Sequence, residues 1–375
     1  MTAFGVAPQL LVVGGGVIGL ASAREAALQG LRVTVFDQGV PCKGSTWAAA
    51  GMLSPASESH DSGPFLRFGL DSLSMYGEWA DALAGDAKAA VGLQKCEKLH
   101  LATSDAESKM LESKQARARA NGVRVEWLSE DELSKREPAL NRSFRGGLLI
   151  RDDYQVDNRR LAEALVESCL REGIQIHTET AVGSIRIKGG TVLGVTLATG
   201  ERVDGNAVLV AAGAWSATLR GLPRAIGVRP VRGQMLALSP QEAISDRILE
   251  SDGVYLVPRQ GGKLLVGATV ENVGFEDGIT VGGVRGLLDA AVGMVPTLCS
   301  APIQEIWSGL RPGTDDGEPI IGADPDVEGL FYATGHFRNG ILLAPLTARV
   351  VSDLILGQGV PSIPVEFSPG RMPPL

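Results

Sequence analysis

The apolar residues of the chain fall into short runs punctuated by glycine. Leu10–Val13 is unbroken apolar sequence ending in Gly14-Gly15-Gly16. Such a run, bounded by a turn signal, predicts a strand covered on both faces. Val17–Leu28 reads as a buried helix closed by Gly30, and Leu31–Phe36 as a β-rich run ending at Asp37. Strand, helix and strand in fewer than 30 residues predict a right-handed parallel βαβ unit.

Further along, helical periodicity covers Asp71–Leu83 and Glu107–Asn121. Ser129-x-x-Glu132 has the form of a capping box, and Pro138 stops the helix it opens. Asp157 is placed to cap a helix from Asn158 to Glu172, ended by Gly173. Ile174–His177 and Ser184–Ile187 read as strands, and Thr191–Leu197 with Arg202–Asp204 as a hairpin about Thr199-Gly200. Ala207–Val210 is a buried strand ending in Ala211-Ala212-Gly213. From about Val228 the pattern turns antiparallel, with Val254–Pro258 and Lys263–Gly267 flanking Gln260-Gly261-Gly262. Leu330–Ala333 returns to buried strand, and a helix over Ile341–Leu356 ends at Gly357.

Parallel-type elements at both ends and in the middle, with antiparallel ones between, predict an α/β chain (α+β overall). A discontinuous Rossmann-like domain is expected over 1–85, 145–217 and 320–375. An interleaved, mainly antiparallel substrate domain is expected over 86–144 and 218–319. The length of 375 residues suits two such domains.

Composition narrows the function. A net charge of −8 without any long basic run argues against nucleic acid as a partner. Cys42, Cys96, Cys169 and Cys299 are scattered, which points to a reducing, cytoplasmic setting. Leu10–Ala23 is apolar, but the first basic residue is Arg24, so no signal peptide is expected; nor is a membrane span. His60, His100, His177 and His336 stand apart, and no metal site is expected. There is no GxSxG, HExxH or Cys–His pattern of a hydrolase.

Gly14-x-Gly16-x-x-Gly19 follows a strand and opens a helix. Small residues let backbone touch a pyrophosphate, and the helix N-terminus, with Val17 and Ile18 in its first turn, offers N–H groups and partial positive charge to the phosphates. Asp37, 18 residues past Gly19, ends the second strand where an acid accepts a ribose hydroxyl. Gln38 follows it. An acid there suits FAD or NAD and suits NADP badly; the motif alone does not choose between the first two.

Three further segments do. They are Ser45-Thr46-x-Ala48-Ala49-Ala50-Gly51-Met52, Gly309-Leu310-Arg311-Pro312, and Gly335-His336-Phe337-Arg338-Asn339-Gly340-Ile341. With the first loop they resemble, in order and spacing, the D-amino-acid oxidase and sarcosine oxidase superfamily, and most of all the glycine oxidases of bacterial thiamine synthesis. The resemblance runs from Leu10 to about Phe367. It implies FAD and assigns the contacts: Ser45 and Thr46 near the pyrophosphate, and Ala50, Gly51 and Met52 beside the isoalloxazine. Val182 would flank the adenine and Gly213 the ribityl chain, with His336, Phe337, Arg338, Asn339, Gly340, Ile341 and Leu342 at the pyrimidine end. The helix beginning at Gly340 and Ile341 would turn its positive end to the charge of reduced flavin.

Arg311 matches the family's carboxylate-binding Arg, whose planar fork suits two parallel charge-assisted bonds. Tyr255 matches the carboxylate-side Tyr, and Arg338 a second position near the substrate. Met52 and Val270 match pocket-lining positions. Related glycine oxidases carry a larger residue at the position of Val270 and a polar one at that of Gly253, so glycine, sarcosine and small D-amino acids all remain open. No Cys lies in Gln304–Gly309, where sarcosine oxidases tether flavin, so FAD is expected to be noncovalent. The implied reaction is hydride transfer from the α-carbon of a neutral amine to flavin. An imine results and hydrolyses to glyoxylate or a keto acid plus ammonia, while molecular oxygen becomes hydrogen peroxide. A flavin dehydrogenase with another acceptor is the alternative; an NAD enzyme is disfavoured by the Arg338-Asn339-Gly340 loop. The resemblance also implies a homo-oligomer and a role in making the thiazole of thiamine.

Overall fold

The computed structural model describes residues 9–58, 63–358 and 363–375. His60 lies outside them.

Two sheets carry the architecture. The first has six strands in the order Ile320–Ala323, Leu330–Thr334, Ala207–Val210, Gln9–Val13, Arg32–Phe36 and Gln175–His177. All neighbours run parallel except the outermost pair, Ile320–Ala323 with Leu330–Thr334. Both faces are covered, which is why its strands read as continuous apolar runs. Leu10 and Val12 face one core with the helices Val17–Leu28, Pro64–Ala87, Asn158–Arg171 and Gly340–Ile355. Leu11 and Val13 face a second core under the three antiparallel strands Val182–Lys188, Thr191–Leu197 and Arg202–Asp204.

The second sheet runs in the order Ile303–Thr314, Val228–Leu238, Leu264–Gly267, Val254–Pro258, Ile248–Ser251, Gln94–Ala102, Gly146–Gln155 and Met52–Leu53, with Val125–Ser129 also on Gly146–Gln155. It is antiparallel apart from Ile248–Ser251 beside Gln94–Ala102. Gly146–Gln155 belongs wholly to this sheet, paired on both edges, although the sequence reading put 145–217 with the nucleotide-binding part. The chain leaves the large sheet only at Val156, just before Asp157 caps the next helix through the N–H groups of Arg159 and Arg160.

Local signals act as the sequence suggests. Ser129 and Glu132 form the reciprocal capping box at the helix Glu130–Arg136. The helix read over Asp71–Leu83 is longer, Pro64–Ala87, because Pro64 opens it at a position that needs no N–H. The helix Val281–Met294, capped by Thr280, was not anticipated. Its start follows Gly278, and four glycines within it dilute the periodic signal.

Candidate active site

The loop after the first strand is fixed from its own second strand. Asp37 accepts from the backbone N–H of Gly15 at 2.7 Å and of Gly39 at 2.8 Å. Its carboxylate is thereby oriented, and each oxygen keeps a lone pair. Val17 N–H donates to Thr46 Oγ1 at 3.0 Å, tying the helix start to the segment that follows. The first turn of Val17–Leu28 has no acidic residue to oppose its partial positive charge. Gly19 packs against the loop rather than lining a cavity; a Cβ on it would stand 1.9 Å from the carbonyl oxygen of Gly14.

The stretch from Thr46 to Gly51 is held by three side chains that the sequence did not single out. Asn158 donates to the carbonyls of Thr46 and Trp47, both at 2.9 Å. Trp307 Nε1 donates to Ala48 O at 3.0 Å, and Arg259 donates to Ala50 O and, at 2.7 Å, to Gln155. Ser45 lines the cavity, but its hydroxyl donates to the carbonyl of Leu310.

The large sheet supplies the floor. Tyr255, Gly267, Met235 and Trp307 are consecutive in-register partners on neighbouring strands and share one face. Two glycines give that face its shape. A Cβ on Gly267 would lie 2.7 Å from the Tyr255 ring, and a Cβ on Gly233 would lie 2.2 Å from the Arg311 guanidinium. The tyrosine and the arginine therefore lie flat across strands that carry no side chain beneath them.

Arg311 donates to Thr269 O at 3.1 Å, and it makes no ion pair among the described residues. Burial pulls its pKa below the ordinary guanidinium value, partly offset by Tyr255 beside it. Burial also raises the Tyr255 pKa, so the phenol is a donor near neutral pH. Its hydroxyl lies beside the Arg311 guanidinium, and its proton goes to Met235 Sδ at 3.7 Å, a weak acceptor. A cation and an O–H donor with little to satisfy them thus share one wall.

Arg338 is different. Its Nε lies 3.2 Å from Glu58 Oε2, and this carboxylate raises the Arg338 pKa above its ordinary value. Nearby, His336 is buried and its pKa is pushed down to about 3, so it is neutral; its Nε2 is 3.2 Å from Thr347 Oγ1. The helix Gly340–Ile355 starts here with neither an acidic first turn nor a side-chain cap. Ser72 and Tyr76 anchor that start by donating to the carbonyls of Leu342 and Ile341.

The dinucleotide loop, the segment from Ser45 to Met52, the sheet face and the loop before the last helix meet at one cavity of about 430 Å³. Gly14, Gly16, Val17, Ile18, Asp37, Gln38, Thr46, Ala50, Gly51, Met52, Val182 and Gly213 line it, as do Tyr255, Arg311 and His336 through Ile341. Gly213 sits at φ +54° with open space where a Cβ would point. Leu342 is fully buried in the helical core and does not line the cavity. Val270 is 56% exposed and is not among the residues that line the cavity. Its neighbours Thr269 and Glu271 bond inward to Gln234 and Arg232, so alternation turns Val270 outward. Glu58, Met235 and Trp215 line the cavity without having been foreseen. A dinucleotide carrying a flavin fits this lining. Two helix N-termini with no acidic residue in their first turns suit its phosphates and a reduced ring, Asp37 suits a ribose, and the small residues 48–51 leave backbone facing the cavity.

The comparisons agree with this lining. Residues 9–354 match the model of the DAO family, described as FAD dependent oxidoreductase. The glycine oxidase of Geobacillus kaustophilus is 36% identical over 348 residues, covering 92% of each chain. A crystal structure of glycine oxidase from that organism superposes with a TM-score of 0.93 at 34% identity, over 96% of this chain and 98% of that one. The bifunctional protein ThiO/ThiG of Synechocystis is 37% identical over 369 residues, and this chain spans 54% of its length. Among the described residues no helix is long and apolar enough to cross a membrane. The chain belongs to the FAD-dependent oxidoreductase family of the D-amino-acid oxidase type, and FAD is its cofactor.

Proposed function

We propose that this protein oxidises the carbon–nitrogen bond of glycine, with Arg311 and Tyr255 binding the substrate carboxylate. One observation carries the reading: a guanidinium without an ion-pair partner among the described residues stands beside an under-satisfied phenol, inside the cavity that the dinucleotide loop also lines. Two relatives named glycine oxidase, matched along nearly their whole length, support glycine as the substrate. This chain's similarity to about half the length of a bifunctional ThiO/ThiG protein supports supply of a product to thiazole synthesis.

When bound, FAD would supply the oxidising chemistry, as acceptor of the two electrons and the proton that leave the substrate, with molecular oxygen as the final electron acceptor. The chain's own part is orientation. Arg311 presents a planar fork to the carboxylate, and Tyr255 donates a further bond to it. The guanidinium of Arg338 is already engaged by Glu58, so it shapes the pocket's charge and leaves the carboxylate to Arg311. Neutral His336 adds no positive charge that would repel a substrate amine. Met52 and Met235 keep the space small, which suits a substrate without a side chain. No side chain in the lining is needed as a base if the amine arrives neutral, so turnover at low substrate rises toward alkaline pH.

A visible spectrum of the purified protein, followed by an amino-acid panel scored for peroxide, tests the proposal. Flavin absorbance with peroxide from glycine supports it. Flavin that sarcosine or D-alanine reduces and glycine does not would overturn the substrate assignment. Dye reduction without oxygen uptake would overturn the acceptor.

A further inference from the structure

A second set of charges lies behind the cavity wall, and no step above uses it. Glu250, on the strand Ile248–Ser251, is the in-register partner of Tyr255 on one side and of His100 on the other. Glu250 therefore occupies the same sheet face as Tyr255, one strand further from Arg311. Lys98, two residues before His100, is on that face too. Its side chain is fully buried, and its Nζ lies 2.5 Å from Glu250 Oε2. Neither of these atoms has a further hydrogen-bond partner among the described residues, so each depends on the other for compensation.

Stability gives little reason for such a pair, since apolar replacements of buried ion pairs are often neutral or stabilising. Position gives a better one. Arg338 acts electrostatically on Glu250, and Glu58 on Lys98, so the pair extends the Arg338–Glu58 contact into the interior with alternating sign. Without Lys98, the Glu250 carboxylate would be an uncompensated anion beside Tyr255. It would compete for the field of the two arginines and repel an incoming carboxylate.

We infer that the buried Lys98–Glu250 pair is a positioning pair for carboxylate binding: Lys98 cancels the Glu250 charge so that Arg338 stays with Glu58 and Arg311 keeps its own charge for the substrate. This rests on the amino-acid oxidase reading of the cavity. The groups facing Glu250 are Lys98 and His100 from the strand Gln94–Ala102, Tyr255 from its neighbour, Arg338 from the loop before the last helix, and Lys114 from the helix Asp105–Ala120; Glu58 and Asp153 lie beyond Lys98. Burial holds His100 neutral, its pKa lowered to about 4, so it does not replace the Lys98 charge.

The test uses holoenzyme and acetate, a carboxylate without a titrating amine, with binding read from the flavin absorbance between pH 6 and 9.5. Glycine KM and kcat are measured in parallel. In Lys98→Met the acetate Kd and glycine KM are expected to rise at least about fivefold at high pH, with kcat nearly unchanged. The rise should shrink toward pH 6 as Glu250, deprived of its cation, takes up a proton. In the double variant Lys98→Met, Glu250→Gln both constants should return to within about threefold of wild type. Equal losses in the single and double variants would mark the pair as merely structural and overturn the inference, as would a Lys98→Met protein indistinguishable from wild type at every pH. If Lys98→Met does not fold, Glu250→Gln alone decides at pH 6: an acetate Kd at least about threefold tighter supports the inference, and an unchanged one refutes it. A wild-type holoenzyme that glycine does not reduce and acetate does not perturb would sink the oxidase reading itself, before any variant is compared.

Discussion

Replacing Arg311 by methionine removes the guanidinium and keeps most of the apolar stem, so the wall between Gly233 and Thr269 stays filled. In the wild-type protein this cation makes no internal ion pair among the described residues and is half-buried in the cavity wall, so its interaction with a bound carboxylate is only partly screened. Each hydrogen bond to a charged group contributes about 1.5–3 kcal/mol, and removing one partner of a buried charge pair costs about 2–5 kcal/mol. At about 1.4 kcal/mol per decade, kcat/KM for glycine should fall by roughly 30-fold to several-thousand-fold. The loss should be specific. FAD content, read from the ratio of flavin to protein absorbance, should stay near wild type, because the dinucleotide loop and Asp37 are far along the chain and keep their own contacts. Oxidation of an amine that lacks a carboxylate should change little, so the preference for glycine over such an amine collapses by the same factor. Anaerobic mixing, which follows flavin bleaching directly, separates this step from reoxidation. Wild-type kcat/KM on glycine in the variant, with flavin fully loaded, would refute the role given to Arg311.

The sheet beneath makes a sharper prediction. Gly233→Ala puts a methyl where the guanidinium lies, 2.2 Å from Arg311 Nη1, and should lower kcat/KM about tenfold or more while FAD content holds. Equal activity in glycine titrations would show that the arginine does not need that surface. Asp37→Ala removes the acceptor for Gly15 and Gly39, so FAD affinity, measured by reconstituting apoprotein, should fall about tenfold or more; unchanged affinity contradicts the ribose assignment. Asp153 is buried, and desolvation raises its carboxyl pKa to about 7, only partly opposed by Lys98. The folded state then holds its proton more tightly than the unfolded one, so stability falls as pH rises from about 4 to about 7. Asp153→Asn should therefore raise Tm at pH 8 and lose that advantage near pH 4 in calorimetric scans. A Tm difference independent of pH would contradict the titration.

The parts of this protein legible in the sequence are those in which the constraint is local. A parallel strand covered on both faces must be apolar throughout, and a helix that opens onto phosphates must begin with small residues, so Leu10–Gly19 and Asp37 announce themselves. Caps work the same way: Ser129, Glu132 and Asp157 bond within three residues of themselves. The supports of the site are long-range. Asn158 reaches Thr46 across 112 positions, Arg259 reaches Ala50 across 209, and Trp307 reaches Ala48 across 259. Nothing in the neighbourhood of any of them marks the partner. The same holds for Gly233 and Gly267, which read as ordinary strand glycines until the side chains lying across them are known. Gly146–Gln155 is hard to place for a related reason: it precedes a capped helix in sequence, yet its hydrogen bonds go to Gln94–Ala102 and Val125–Ser129. Val270 shows the limit of arguing by resemblance, since two inward-bonded neighbours decide where its side chain points. Glu58 shows the reverse. A carboxylate just past the Gly51-Met52 turn looks like solvated surface, and only its pairing with Arg338, 280 positions away, places it on the cavity wall. A charge becomes functional here through what the fold sets opposite it, and that relation is written in no single segment.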